Sequence, residues 1–219
     1  MTLLFVLDII GTFVFAISGA FRAVKYELDI LGVLVLSIIT GVGGGCVRDV
    51  ILGSNPPAAF QDETYLLTCI AGGLLVFFAS RKIAPRWDCV VFADAIGLGV
   101  FAAIGAAKAS SFELGGVGVV MMAAVTATGG GVIRDILVTE IPAVLRSDFY
   151  ATAALCGGGA FLAAGHLGAP EGAQLACCIV ITCGLRFLAM RYGISLPKIK
   201  PLPASPSKLT QMRRKRKGQ

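Results

Sequence analysis

The sequence predicts an all-α membrane protein: seven transmembrane helices arranged as an inverted three-plus-three repeat with a seventh helix added. Composition is the first reason. Of 219 residues, 56% are hydrophobic and 15% charged, with a mean hydropathy of +0.84, whereas a soluble domain carries about 25% charged residues. The second reason is seven apolar runs of roughly bilayer-spanning length. The third is internal: a shift of 86 residues aligns the chain with itself without a gap, with 20 identities over the 49 positions from Asp8 to Pro56.

The runs cover roughly residues 4–21, 30–52, 64–80, 90–107, 115–138, 149–167 and 172–190. The first stands where a signal peptide would, but Met1 to Leu7 holds no basic residue and Asp8 interrupts the run, so it reads as a retained helix. The organisation that follows is a first three-helix repeat over 1–86, a second, inverted repeat over 87–168, a seventh helix over 169–192 and a tail over 193–219.

Orientation follows from the basic residues, because Lys and Arg in short loops stay cytoplasmic. Arg22 and Lys25 follow the first run, Arg81, Lys82 and Arg86 the third, and Arg146 the fifth, whereas Asp62, Glu63 and Glu171 fall in the intervening loops. This alternation predicts an N-terminus outside and a C-terminus in the cytoplasm. The tail carries Pro197, Pro201, Pro203 and Pro206 and then Arg213 to Lys217. Such a stretch has no core to bury and is expected to be disordered, serving as a topology anchor or attracted to anionic lipid headgroups. Residues 197–219 hold eight of the 19 basic residues and none of the acidic ones, leaving 11 against 13 in the remainder. The net charge of +6 therefore belongs to the tail, and nucleic acid is not an expected partner.

Catalytic chemistry has little material. The seven cysteines, Cys46, Cys69, Cys89, Cys156, Cys177, Cys178 and Cys183, show no zinc spacing and read as inert buried thiols. The single histidine, His166, ends an apolar run, so neither a histidine-ligated metal site nor a Ser-His-Asp triad is expected. No cofactor is predicted, and the chain is not expected to be an enzyme.

The repeat pairs Asp8-Ile-Ile-Gly-Thr-Phe-Val-Phe-Ala with Asp94-Ala-Ile-Gly-Leu-Gly-Val-Phe-Ala. It also pairs Thr40-Gly-Val-Gly-Gly-Gly-Cys-Val-Arg-Asp with Thr126-Ala-Thr-Gly-Gly-Gly-Val-Ile-Arg-Asp. Each copy holds three helices, an odd number, so the second enters the membrane from the opposite face. Inverted repeats of this kind are typical of transporters, with sites near the midplane where the repeats meet.

Two glycine triplets, Gly43, Gly44, Gly45 and Gly129, Gly130, Gly131, stand inside apolar runs. Glycine costs about 1 kcal/mol against alanine in a helix interior. The triplets are therefore expected to weaken or kink the second and fifth helices and to free backbone groups for an ion; the alternative is close helix packing. Arg48-Asp49 and Arg134-Asp135 follow each triplet. At helical spacing Ser37, Gly41, Gly44 and Arg48 share a stripe, as do Ala123, Ala127, Gly130 and Arg134. Ionisable residues at membrane depth face a bundle interior or water. Because positions i and i+1 diverge on a helix, each aspartate is expected to pair with another helix and each arginine with a carboxylate, with interfacial snorkelling as the alternative.

The first and fourth helices carry a third matched stripe: Asp8, Thr12, Phe15, Gly19 and Arg22 against Asp94, Leu98, Phe101, Gly105 and Lys108, which with Glu113 falls in the outer loop after the fourth run and leaves the charge alternation nearly rather than fully clean. It suits a wall beside a narrow aqueous path, although core packing accounts equally for the two phenylalanines. Thr40 and Thr126 are hydroxyl ligands or are bonded back to their own helix. Arg186 is an end anchor or a partner for an acidic residue.

The doubled Gly-Gly-Gly-x-x-Arg-Asp segment and the three-plus-three-plus-one layout resemble the prokaryotic branch of the trimeric intracellular cation channel family, over about residues 3–191. The resemblance implies a homotrimer whose protomers each hold an hourglass pore formed mainly by the first, second, fourth and fifth helices. It implies kinks at the two glycine triplets and a monovalent permeant cation, chiefly potassium. This chain lacks the Lys-Glu-Val signature of animal members. The same bacterial domain resembles one described as a glycine transporter, so a small-solute secondary transporter, for example for glycine, is the alternative.

Overall fold

The computed structural model describes residues 2–83, 87–146 and 149–194. The predicted tail, from residue 195 onward, lies outside the described residues, as does Arg86, and so do the side chains of Arg81, Lys82 and Cys89.

The helices are α1 (Thr2–Lys25), α2 (Ile30–Ile51), α3 (Ala58–Gln61), α4 (Glu63–Ile83), α5 (Trp87–Ser111), α6 (Gly116–Leu137), α7 (Ala143–Arg146), α8 (Ala151–His166) and α9 (Glu171–Tyr192). A long helix lies over each predicted apolar run. Five carry spans long and apolar enough to cross a membrane: Leu3–Lys25, Ile30–Ile51, Val91–Ser111, Gly116–Leu137 and Glu171–Tyr192; the apolar part of α4, Glu63–Ala79, is shorter.

Local chemistry fixes the ends. The carboxylate of Asp29 accepts from the Gly32 amide at 2.7 Å and caps α2. Asp62 does the same near the start of α4, accepting from the Thr64 amide at 2.9 Å; the Thr64 hydroxyl first, and this amide after it, lower the Asp62 pKa. α1 and α5 end alike: Glu27 (φ 54°) and Glu113 (φ 58°) are left-handed, and the next amides, of Leu28 and Leu114, donate back to the carbonyls of Ala23 and Ala109. After α2 and α6 the left-handed positions are Gly53 (φ 72°) and Thr139 (φ 57°).

α1 packs on α2 and α4, α5 on α6 and α8, and the two groups join through α1 against α5 and α2 against α6; α9 covers α5 and α8. Phe15 and Phe101, both buried, meet at the α1–α5 contact with ring centroids 5.1 Å apart. They are core residues.

Three sequence expectations need correction. The glycine triplets do not free backbone groups for an ion: α2 and α6 stay helical through Gly43–Gly45 and Gly129–Gly131. The triplets instead provide close approach. A Cβ on Gly44 would lie 2.2 Å from the Thr126 carbonyl oxygen, and one on Gly130 would lie 2.3 Å from that of Thr40. The two helices therefore cross antiparallel in backbone contact. Second, the cysteines are not uniformly buried: Cys69 and Cys178 are, but Cys156 and Cys177 are exposed on the single chain. Third, two four-residue helices, α3 and α7, were not anticipated, because each is too short to show periodicity and its start is set by a distant carboxylate.

Candidate functional site

α2 and α6 carry their charged residues in the last helical turn. From the crossing at Gly44 and Gly130, Arg48 lies four residues further along α2 and Arg134 four further along α6, each about 6 Å along its axis and in opposite directions. Two polar clusters thus stand astride the glycine crossing, one toward each end of the bundle.

In the first cluster Arg48, 2% exposed, donates through Nε to Asp49 Oδ1 at 2.7 Å, and its Nη2 lies 3.7 Å from Asp8 Oδ2. Lys108, from the end of α5, reaches the same Asp49 oxygen at 2.7 Å. The Tyr65 hydroxyl donates to Asp8 Oδ2 at 3.1 Å. The other Asp49 oxygen, Oδ2, accepts from the Ala58 amide at 3.0 Å and so starts α3. A cavity lined by Asp8, Thr12, Gly45, Arg48, Asp49 and Tyr65, among others, has space for about one water molecule, and the buried Nη1 of Arg48 has no hydrogen-bond partner among the described residues.

The second cluster repeats the plan with different helpers. Arg134, also 2% exposed, donates through Nε to Asp135 Oδ1 at 2.9 Å and through Nη1 to Asp94 Oδ1 at 3.0 Å. Its Nη1 also donates to the Ser18 hydroxyl at 2.7 Å. Asp135 Oδ2 accepts from the Ala143 amide at 2.9 Å and starts α7. Arg22, from the end of α1, has Nη2 3.7 Å from Asp135 Oδ1 and Nη1 2.6 Å from Glu140 Oε2. Glu140 gathers further cations: Lys25 at 3.2 Å and Arg146 at 3.6 Å, with a short hydrogen bond from the Tyr26 hydroxyl. That bond first, and the neighbouring cations after it, hold the Glu140 carboxyl down to about 2. Arg22, Lys25 and Arg146, which the charge pattern assigns to one side of the membrane, meet here around one carboxylate.

The triplet glycines, Thr40, Thr126 and the two Arg-Asp pairs, with Asp8 and Asp94, lie in these clusters or at the crossing between them, but some partnerships differ. Each aspartate was expected to avoid its neighbouring arginine. Instead Arg48 folds back onto Asp49 and Arg134 onto Asp135, because a long guanidinium stem bridges the divergence of adjacent positions that short side chains cannot. Pairing across the repeats also occurs, through Lys108 to Asp49 and Arg22 to Asp135. Both arginines are ion-paired. The hydroxyls of Thr40 and Thr126 donate to their own helices, at the carbonyls of Leu36 (2.6 Å) and Met122 (2.7 Å), which is the back-bonding alternative. Arg186 lies over the Tyr150 ring, 4.9 Å from its centroid.

Sequence reasoning missed Ser18, Tyr65 and Glu140. Ser18 was legible as an isolated hydroxyl inside an apolar run. Tyr65 and Glu140 had no such signal, because their counterparts under the 86-residue shift are Ala151 and Ser54.

The fold and these clusters define an all-helical membrane protein with ion-paired polar centres inside its helix bundle. The chain belongs to the family described as "Glycine transporter", whose model matches residues 5–81 and 91–166. It is 40% identical over 198 residues to the "UPF0126 inner membrane protein YadS" of Escherichia coli strain K12, covering 89% of this chain and 95% of that one. Among solved structures it is similar to a TRIC cation channel studied for conductance, with a TM-score of 0.84 at 42% identity over 91% of this chain and 98% of the other. It is also similar to the TRIC trimeric intracellular cation channel orthologue from Rhodobacter sphaeroides, with a TM-score of 0.85 at 36% identity over 89% and 100%.

Proposed function

We propose that this protein is a monovalent cation channel, chiefly potassium-permeable, with one path per protomer between α1, α2, α5 and α6. The observation that carries the reading is the pair of neutralised clusters astride the glycine crossing. An unpaired arginine beside a cation path repels the ion; here Arg48 and Arg134 are each bound by two carboxylates, and the aspartates retain lone pairs for a passing cation. Buried ion pairs contribute little net stability compared with apolar packing, and charge at membrane depth marks ion pathways. The similarity to two solved cation channels at 36% and 42% identity supports the same reading.

The described conformation is narrow, with space for about one water beside Asp8. Conduction on this reading requires α2 and α6 to separate at Gly44 and Gly130, with the triplets acting as the bending points. The wider assignment includes an inverted repeat related by a pseudo-two-fold axis in the membrane plane, seven spanning helices and a homotrimer. It places the N-terminus outside and the basic tail in the cytoplasm against anionic headgroups.

Proteoliposomes loaded with potassium test the proposal. Rapid, uncoupled potassium efflux that is insensitive to external glycine is expected. Saturable uptake of labelled glycine without potassium efflux would replace the channel with a carrier.

A further inference from the structure

Among the described residues, Arg186 is the one buried charge outside the two sequence repeats; it is 8% exposed and stands on α9. Charge buried in a membrane protein is costly and marks function. The Arg186 guanidinium lies over the Tyr150 ring, 4.9 Å from its centroid. Tyr150 is itself buried and reaches the second cluster, standing beside Asp94 and Arg134. A Cβ on Gly131 would lie 3.2 Å from its hydroxyl, so the tip of this side chain is at the glycine triplet of α6. The matching tyrosine is held differently. Tyr65, in the first turn of α4, is fixed at its tip by Asp8 at 3.1 Å and at its ring by the edge of Phe5, with centroids 6.1 Å apart. The Tyr150 hydroxyl makes no such hydrogen bond among the described residues. Nor does a helical turn precede Tyr150: Phe149 before it is left-handed (φ 60°), and α8 begins after it. Its orientation therefore depends on what lies against its ring, and a desolvated guanidinium is a strong partner for an aromatic face.

We infer that Arg186 is a positioning residue for ion passage: stacked on Tyr150, it holds the tyrosine hydroxyl at Gly131 and beside Asp94, where that oxygen offers a fixed lone pair to a passing cation. This rests on the channel reading. Arg186 acts through Tyr150 and does not itself touch the ion. In the first half of the path the corresponding hydroxyl is bound to Asp8, so the second half has a ligand whose place is set by a helix outside the repeats. α9, which packs on α5 and α8, thereby contributes to conduction without lining the path.

The test is the unitary potassium current of the full-length protein in planar bilayers under symmetric KCl, for the wild type, R186Q, R186K, Y150F and the double variant R186Q/Y150F. R186Q is expected to lower the current by about twofold or more, the ratio that even a weak cation–π contact confers on an equilibrium. Y150F, which keeps the ring and loses the hydroxyl, is expected to lower it comparably. R186K keeps a cation over the ring and is expected to pass a current near that of the wild type. Because both positions act through one hydroxyl, the double variant is expected to carry the same current as Y150F alone. An unchanged or raised current in R186Q, losses that add in the double variant, or a wild-type current in Y150F overturns the inference while the channel reading stands. If R186Q does not elute as the wild type does, Y150F and R186K decide: a wild-type current in Y150F, or a current in R186K as low as that of Y150F, overturns it. Absence of any cation current from the wild type overturns both.

Discussion

Arg134 concentrates the residue-scale chemistry. Its guanidinium serves Asp94, Asp135 and Ser18 at once, and all of these are buried. Removing it takes the counter-ion from Asp94 and leaves Asp135 only the more distant Arg22, and breaking a buried pair from one side costs about 3–5 kcal/mol. R134A is therefore expected to lower the thermal unfolding midpoint sharply in detergent, and D94N added to it to recover part of the loss, because the two residues share one interaction. Glu140 gives a pH signature. Its carboxyl is lowered from 4.5 to about 2 in the fold, so its contribution is fully present above about pH 4.5 and is lost as the pH falls through about 2. Unfolding between pH 5 and pH 2 is expected to show wild-type stability falling relative to E140Q, whose curve lacks that component. The arginines and aspartates were legible as residues because charge inside an apolar run has few uses. Their partners were only partly legible, since an arginine stem spans several positions and Tyr65 approaches Asp8 from another helix.

At the scale of elements, the glycine triplets separate by position. Gly44 lies in backbone contact with Thr126, whereas a Cβ on Gly45 would meet nothing closer than the Arg48 guanidinium at 3.6 Å. G44A is expected to force α2 from α6 and destabilise by about 1–3 kcal/mol. G45A is expected to be neutral or to stabilise by up to about 1 kcal/mol through helix propensity. Chemical denaturation of the two variants under one condition checks the contrast. Thr139 takes a left-handed conformation that its counterpart Gly53 adopts without a Cβ; T139G is expected to stabilise by about 1 kcal/mol, read as a raised unfolding midpoint. The long helices were legible because each buries an apolar run of known length, and their observed ends are fixed by caps and left-handed residues near the predicted boundaries. The freed backbone groups expected at the triplets were not found, because glycine's low propensity is overridden when its missing Cβ allows two helices to touch. Neither α3 nor α7 was readable, since Asp49 and Asp135 start them from several residues away.

At the scale of the whole molecule, the 86-residue self-alignment anticipates contacts that the structure pairs one for one. Gly19 meets Thr40 where Gly105 meets Thr126, and Gly44 meets Thr126 where Gly130 meets Thr40. What self-alignment did not reveal is where the copies diverge, at Ser18 and Glu140, because divergence leaves no pattern to find, nor that Tyr150, one residue off the register of Tyr65, stands beside Asp94 and Arg134. The central claim is that a cation passes between α1, α2, α5 and α6, past arginines that carboxylates have neutralised. It is tested most directly by the reversal potential of single channels in a planar bilayer under a KCl gradient. Discrete unitary currents that reverse close to the potassium equilibrium potential are expected. Reversal at the chloride potential, or a bilayer that stays silent while the same preparation accumulates solute, would contradict it.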